Sequence, residues 1–495
     1  MSGGPVPITS VDGLIERSYS SGMMKFDNTF RTLPPFLYED VKPTPIKSPK
    51  LVHVSELKNE LGIDLSQQEL CQWLNGESSL PGEQRLSSRY AGHQFGVWAG
   101  QLGDGRAISL GELLTPKGRQ EIQTKGSGLT PFSRMGDGKA VIRSSVREYL
   151  CSEAMHGLDI PTTRVLALLT GEDPVYRETV EKSAVVARVF PTNLRFGHFE
   201  MCFHYEKDEE LKALIQYAQK TFFPDCTVEE MLREVVKRTA TLIAHWQNVG
   251  FCHGVMNTDN MSLLGLTIDY GPYGFMEDTV LNYVCNHSDH RGRYAYNQQP
   301  SIGMWNLERL MVCFMKEVPK EKLQEILNEY PGYFEAEYLK LSRKKLGLKT
   351  EQESDYQLLI DCLQTLAQLQ MDYTFFFRQL AHYQKGQLQS LQAIWDYYGH
   401  RQELISWLKQ YDDRLTGETF SDEARQREMK KTNPKYVLKN YIAQEIIQDV
   451  EQCQNEKLIN WLNVLYRPFD EHPEFEAYAA PTPAEHKHYE VSCSS

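Results

Sequence analysis

His253-Gly254-Val255-Met256-Asn257-Thr258-Asp259-Asn260, the apolar-rich stretch Met261–Ile268, and then Asp269-Tyr270-Gly271 form the segment on which the reading of this chain turns. Asp259, Asn260 and Asp269 are hard oxygen donors. A tight hairpin over Met261–Ile268 is expected to turn the oxygens of Asn260 and Asp269 toward one cation. Oxygen donors of this kind, shared with phosphate, suit Mg²⁺ or Mn²⁺. Val255, shortly after the histidine, cannot accept a proton, and Asp259 is the nearest carboxylate that can. Asp-Tyr-Gly alone is an ordinary turn, but the whole array requires several spacings to coincide.

The lead-in to this loop is well signalled. Thr227-x-x-Glu230 is a capping box, and Leu232, Val235, Val236, Thr239, Leu242, Ile243 and Trp246 recur on one helical face, with Gly250 as the stop. Further upstream, Ala107–Leu114 and Glu121–Lys125 read as strands joined by the turn Pro116-Lys117-Gly118, preceded by the glycine-rich block Gly92–Arg106. Val141–Gly157 reads as a helix and Ser183–Phe190 as a strand. Beyond Trp305 the pattern is mostly helical, including Gln357–Leu380, Leu388–Tyr398 and Tyr436–Gln454.

This order resembles the kinase-like phosphotransferases, in which a small β-rich lobe precedes a helical one. In those proteins an Asp follows the loop histidine as base, an Asn holds metal, and a later Asp completes the metal site. The expected fold class is therefore α+β, a protein-kinase-like bilobal fold with an N-terminal extension and additional C-terminal helices. The expected divisions are 1–85 for the extension, 86–200 for the N-lobe, 201–330 for the C-lobe core and 331–495 for the helical remainder with a cysteine-containing tail.

Within that frame Lys125, ending Ile122-Gln123-Thr124-Lys125, is the candidate contact for nucleotide phosphate. Glu148 is its natural helix partner and Glu153 the fallback. Glycines let backbone N–H groups approach phosphate oxygens, which makes Gly103 and Gly105, with Arg106 beside them, candidates as well. A tight hairpin would use the same glycines. Arg188 and Arg195 flank Val189–Leu194 and suit a polyphosphate clamp; Asp137-Gly138 is a ligand-contacting turn or simply a turn.

Composition narrows the classes. At 495 residues the chain exceeds one ordinary core, and 41% hydrophobic with 24% charged residues is the balance of a soluble globular protein. A net charge of −13 argues against nucleic acid held by bulk electrostatics. No apolar run suggests a membrane span, and Met1–Pro5 begins no secretory signal, so a cytoplasmic location and no membrane partner are expected. The ten cysteines include no Cys-x-x-Cys pair, so neither zinc nor a disulfide framework is indicated.

Longer strings carry a sharper likeness. Arg89-Tyr90-Ala91-Gly92-His93-Gln94-Phe95-Gly96, Gly103-Asp104-Gly105-Arg106, Lys125–Arg134, His253–Asn260 and Cys285-Asn286-His287-Ser288-Asp289 closely resemble the selenoprotein O (SelO/YdiU) family, over nearly the whole chain. The resemblance implies ATP bound in a flipped orientation and AMP transferred to Ser, Thr or Tyr hydroxyls of protein substrates. By the same resemblance, Asp259 is the base, Asn260 and Asp269 hold Mg²⁺ or Mn²⁺, and Lys125 and Glu148 form an ion pair. Gly103, Gly105, Arg106, Asp137, Gly138, Arg188 and Arg195 would line the nucleotide site. UMP transfer, an ordinary phosphotransferase and an inactive nucleotide-binding pseudokinase scaffold stay open as alternatives. Some family members carry selenocysteine third from the end, where this chain has Cys493. A redox-sensitive bridge from Cys493 to Cys285 is the corresponding hypothesis.

Overall fold

Local signals determine the main helix. The Thr227 hydroxyl accepts from the Glu230 N–H while the Glu230 carboxylate accepts from the Thr227 N–H, and Gly250, at φ 73°, ends the helix Val228–Val249 in the left-handed conformation. The computed structural model describes residues 24–487 and 489–491. The described residues divide into two compact units: one comprises 24–90, Gln101–Ser145 and Thr163–Leu194, the other Ala91–Gly100, Val146–Thr162 and the described residues from Arg195 onward.

The first unit is built on an antiparallel sheet. Its strands run in the order Tyr38–Asp40, Leu86–Ser88, Ala107–Thr115, Gly118–Lys125, Val180–Phe190, Arg164–Tyr176 and Lys50–Val54, with the short Ala140–Val141 strand on Val180–Phe190. The expected hairpin closes at Pro116–Gly118, pairing Ala107 with Lys125 and Thr115 with Gly118. Val186 lies opposite Lys125 and Arg188 opposite Gln123. Directly paired residues share a face, and successive residues alternate between faces. One face therefore collects Glu121, Gln123, Lys125 and Arg188, while Ile108, Leu110, Ile122, Val185, Ala187 and Val189 enter the apolar core on the other.

Three sequence expectations change here. The run Val165-Leu166-Ala167-Leu168-Leu169 belongs to a long strand, Arg164–Tyr176, that the residue reading passed over. The segment Val54–Leu61, which reads as a short helix in the sequence, is helical only over Leu57–Glu60, and Val54 ends a strand. The glycine-rich block is not one element. Ala91–Gln94 and Val97–Gln101 make their own small hairpin around Phe95-Gly96, both at positive φ, and residues 91–100 belong to the second unit.

The second unit is mainly helical, with a two-stranded ladder, Phe251–Cys252 on Gly274–Phe275, bracketing the loop of interest. A core of Cys252, Met276, Met371, Phe376, Trp407 and Tyr411, among others, joins this ladder to the helices Asp355–Gln368, Tyr373–Leu380 and Gln402–Leu415. The helix expected over Gln357–Leu380 is broken. Gln370 takes φ 49°, and the Asp372 side chain accepts from the Phe375 N–H to start the second helix. No helix among the described residues is long and apolar enough to cross a membrane.

Candidate active site

The loop from Cys252 to Gly274 begins at the end of a strand and is held by side chains from distant parts of the chain. The Gln299 amide accepts from the His253 N–H and donates to the Phe251 carbonyl, both at 2.9 Å. Asn306 donates to the Met256 carbonyl at 2.9 Å and Asn286 to the Gly254 carbonyl at 3.0 Å. Asn257 accepts from the Tyr294 hydroxyl at 2.6 Å and from the Phe95 N–H at 3.2 Å. A loop without its own ladder must satisfy its backbone groups in this way.

His253 is buried and stacks on Trp246 with ring centroids 5.4 Å apart. Its Nδ1 accepts from the Val255 N–H at 3.3 Å, so Nε2 carries the proton and donates to the Ile268 carbonyl at 2.8 Å. Burial pushes its pKa down and keeps the ring neutral. His253 thus positions the two ends of the loop.

Asp259 lies in the turn Thr258–Asn260 and is 7% exposed. Its Oδ2 receives a long contact, 3.4 Å, from the Gln94 amide, and its buried Oδ1 has no hydrogen-bond partner among the described residues. Burial pushes the carboxyl up to about 7, against the opposing pull of the Arg195 guanidinium. Asn260 donates through Nδ2 to the Val255 carbonyl at 2.9 Å, which leaves Oδ1 as its acceptor atom for a cation.

Asp269 takes φ 57°, a left-handed conformation uncommon outside glycine, and is ion-paired to Arg195 through Oδ2. The same Arg195 nitrogen, Nη1, donates to the Asp259 carbonyl at 3.0 Å. The hairpin expected over Met261–Ile268 does not form on itself. Ser262 bridges to Arg195 and Thr267 to Thr162, with only a turn closed by the Gly265 N–H on the Ser262 carbonyl. Asp259, Asn260, Asp269 and Arg195 are accordingly gathered in one place within this unit. The amide oxygen of Asn260, left over by the bond from its Nδ2 to Val255, and the Asp269 carboxylate are hard donors whose chemistry fits a divalent cation.

The remaining candidates divide between the units. Glu148 is buried on the helix Ile142–Gly157; beside it Arg147 donates to the Tyr273 carbonyl at 2.9 Å and lies over the Tyr273 ring, tying this helix to the segment after Asp269. Lys125 and Arg188 share the polar face of the sheet in the other unit, where Arg188 is hydrogen-bonded to Gln123. A Cβ at Gly103 would lie 2.6 Å from the Phe132 ring, and one at Gly105 2.9 Å from the Phe132 carbonyl, so close packing already requires both glycines. Arg106 is half-buried beside them. Gly138 packs backbone to backbone on Gly128, and Asp137 receives both terminal nitrogens of Arg177 at 2.8 and 3.0 Å. Cys285 is buried, its Sγ 2.9 Å from the Pro272 carbonyl, and burial pushes its thiol well up. Cys493 lies outside the described residues.

Arg177, Gln299, Asn306 and Tyr294 carry no signal in the sequence, and Gln94 and Asn286 stand in its family-like strings without a role of their own. Amides and tyrosines at these spacings carry no motif; their role exists only once the chain is folded.

A family model described as "Protein adenylyltransferase SelO" matches residues 22–466. A relative named protein nucleotidyltransferase YdiU, from Bordetella petrii, is 45% identical over 492 residues, covering 95% of this chain and 98% of its own. Its namesake from Herminiimonas arsenicoxydans is 45% identical, over 95% and 97% of the two chains. One from Yersinia pseudotuberculosis is 42% identical, over 95% and 99%. On the match of nearly its whole length, with the loop geometry described above, the chain belongs to the SelO protein adenylyltransferase family.

Proposed function

We propose that this protein transfers AMP from ATP to Ser, Thr or Tyr hydroxyls of protein substrates, with Asp259 as the proton acceptor. The observation that carries the reading is the buried Oδ1 of Asp259, which has no hydrogen-bond partner among the described residues, on a residue whose backbone carbonyl shares Arg195 Nη1 with the Asp269 carboxylate. Oδ1 would take the proton of the attacking hydroxyl as its oxygen bonds to the α-phosphorus and pyrophosphate leaves. Asn260 and Asp269 would hold Mg²⁺ or Mn²⁺, which supplies neutralisation of phosphate charge when bound. Arg195 orients Asp269 and fixes the backbone of Asp259. In the sheet unit, Lys125, Arg188, Arg106, Gly103, Gly105, Asp137 and Gly138 are the proposed nucleotide-binding residues, and Glu148 the helix glutamate expected to act with Lys125.

The element order supports a kinase-like fold class, with residues 86–200 as the N-lobe, 201–330 as the core of the C-lobe, 1–85 as an extension and 331–495 as helical additions. The proposed location is cytoplasmic. We propose redox control through a Cys285–Cys493 bridge, two thiols losing two electrons and two protons to a peroxide-class oxidant. Its support is that the His287 N–H donates to the Val491 carbonyl at 2.8 Å, each residue two positions from one of the cysteines. Burial raises the Cys285 thiol, so Cys493 would attack the peroxide, breaking its O–O bond to give a sulfenic acid and water or an alcohol, and Cys285 would then displace water from that sulfur to form the S–S bond. Non-reducing mass spectrometry of oxidised protein should find the bridged peptide; its absence overturns the bridge.

Incubation with protein substrate and ATP labelled at either the α- or the γ-phosphate tests the activity. Label retained from the α position alone is expected, and loss of that signal in Asp269→Ala. Retention from γ alone would make the protein a phosphotransferase, and none from either ATP or UTP would make it a scaffold. Stronger labelling from α-labelled UTP than from ATP would reassign the donor.

A further inference from the structure

Away from the proposed catalytic carboxylates, the second unit gathers a different donor set. Glu200 and His204 are four residues apart on the helix Phe196–His204 and so share a face, and His93 comes to them from the strand Ala91–Gln94. Their ligating atoms lie within 4.8 Å of one another. His93 Nδ1 contacts Glu200 Oε1 at 2.6 Å. Glu200 is wholly buried, and its second oxygen, Oε2, has no hydrogen-bond partner among the described residues.

That orphaned oxygen is the informative atom. A buried carboxylate normally satisfies both oxygens, because a bare one forfeits its hydration with nothing in return. A histidine–glutamate pair alone would account for Oε1 and leave Oε2 unexplained, along with the second imidazole. Aromatic rings flank the site: the Trp98 ring centroid is 4.0 Å from that of His204, and the Trp305 centroid 5.4 Å from that of His93. Arg309, a cation that acts on His204, is itself ion-paired to Glu308 at 2.9 Å.

We propose that His93, Glu200 and His204 form a second metal site that binds Zn²⁺, distinct from the oxygen-donor site of Asn260 and Asp269. Two imidazoles and a carboxylate are a donor set for borderline cations, with water completing a tetrahedron. Zn–ligand bonds near 2.0–2.1 Å put tetrahedral neighbours about 3.4 Å apart, so the His93–Glu200 contact at 2.6 Å would open and no pair would need to close from more than 4.8 Å. The site would brace the catalytic loop. The His93 N–H donates to the Thr258 hydroxyl at 2.7 Å, its neighbour Gln94 touches Asp259, and the helix bearing Glu200 and His204 starts with the Phe196 N–H on the Met261 carbonyl at 3.0 Å. A cation bound here would therefore fasten the hairpin to the helix, and both to the turn that carries Asp259.

The test is metal binding by the full chain, stripped with chelator and dialysed against Zn²⁺ or Co²⁺. Plasma mass spectrometry should find about one tightly held Zn²⁺ per chain, and Co²⁺ should give the visible bands of a tetrahedral imidazole site. His204 is exposed, so His204→Ala should fold, as circular dichroism will verify, and should bind at least ~10-fold more weakly. Glu200→Gln should do the same, and Asp269→Ala should retain the ion. The inference is overturned if the wild type holds no Zn²⁺, if His204→Ala binds as tightly, or if Asp269→Ala loses the ion.

Discussion

A Cβ at Gly92 would lie 2.7 Å from Oδ1 of Asp259 and 3.0 Å from its Cβ. Residue 92 therefore determines whether the carboxylate can occupy its position. Gly197 acts alongside: a Cβ there would lie 2.2 Å from the Ala91 carbonyl and 3.4 Å from the Asp259 Cα. The glycine at 92 is needed for close approach, its φ being unexceptional.

Gly92→Ala is expected to push the Asp259 side chain aside. A misplacement of about 1 Å in a reacting group costs on the order of 10²-fold in rate, while overpacking costs about 1–3 kcal/mol of stability. Transfer of α-labelled AMP should fall by roughly that factor with the fold retained by circular dichroism. A variant transferring at the wild-type rate would remove Asp259 from the mechanism.

The titration of Asp259 should be readable in stability. Its folded pKa, about 7, lies above the ordinary 3.8, so the folded state binds the proton more tightly than the unfolded chain does. This contribution is complete below about pH 3.8 and is lost as pH rises through about 7. Asp259→Asn, measured with divalent cations chelated, should be more stable than wild type above pH 7 by on the order of 2–4 kcal/mol, the gap closing toward pH 4. Parallel denaturation curves at all pH values would contradict the burial argument.

Arg195 is 2% exposed and compensates Asp269 while holding the Asp259 carbonyl. Removing one partner of a buried pair costs about 3–5 kcal/mol. Arg195→Met should therefore lower the melting temperature in chelator, and Mn²⁺ should recover more stability in the variant than in wild type. Arg195→Lys should rescue only in part, since one ammonium does not reproduce the guanidinium fork. A melting temperature unchanged in Arg195→Met would refute the role.

In the sheet unit, burial pushes Glu121 up to about 8, helped by the neighbouring Glu112 carboxylate, while the Asn193 N–H donates to it at 3.0 Å. The sign is the same as for Asp259: stability present below about pH 4.5 is lost as pH rises through about 8. Glu121→Gln keeps the acceptor oxygen for Asn193 and removes the ionisation. Its melting temperature should exceed that of wild type at pH 9 and match it near pH 5; a deficit at pH 9 would count against a neutral Glu121.

Short-range chemistry made part of this protein legible from its residues. The Thr227–Glu230 box, the Gly250 stop and the Pro116–Gly118 turn are properties of a few consecutive residues, and the structure has each where expected. The adjacency of Asp259 and Asn260, and their distance from Asp269, likewise point to a loop of oxygen donors without any knowledge of packing. The family likeness rests on such strings, which is why it was visible at once.

What only tertiary structure decided is how that loop is held and what charge it carries. Arg195 reaches Asp259 and Asp269 across 64 and 74 residues, and Gln94 reaches Asp259 across 165. Met261–Ile268 looked self-paired, yet its ends bridge to Arg195 and Thr162, because strand partners are chosen by the fold and leave no mark at the loop itself. The pKa of Asp259 and the bare oxygen of Glu200 follow from burial, which is a property of the surrounding volume. Sequence determined which groups are available; packing determined which are desolvated and paired, and desolvation is what separates a surface carboxylate from a base or a ligand.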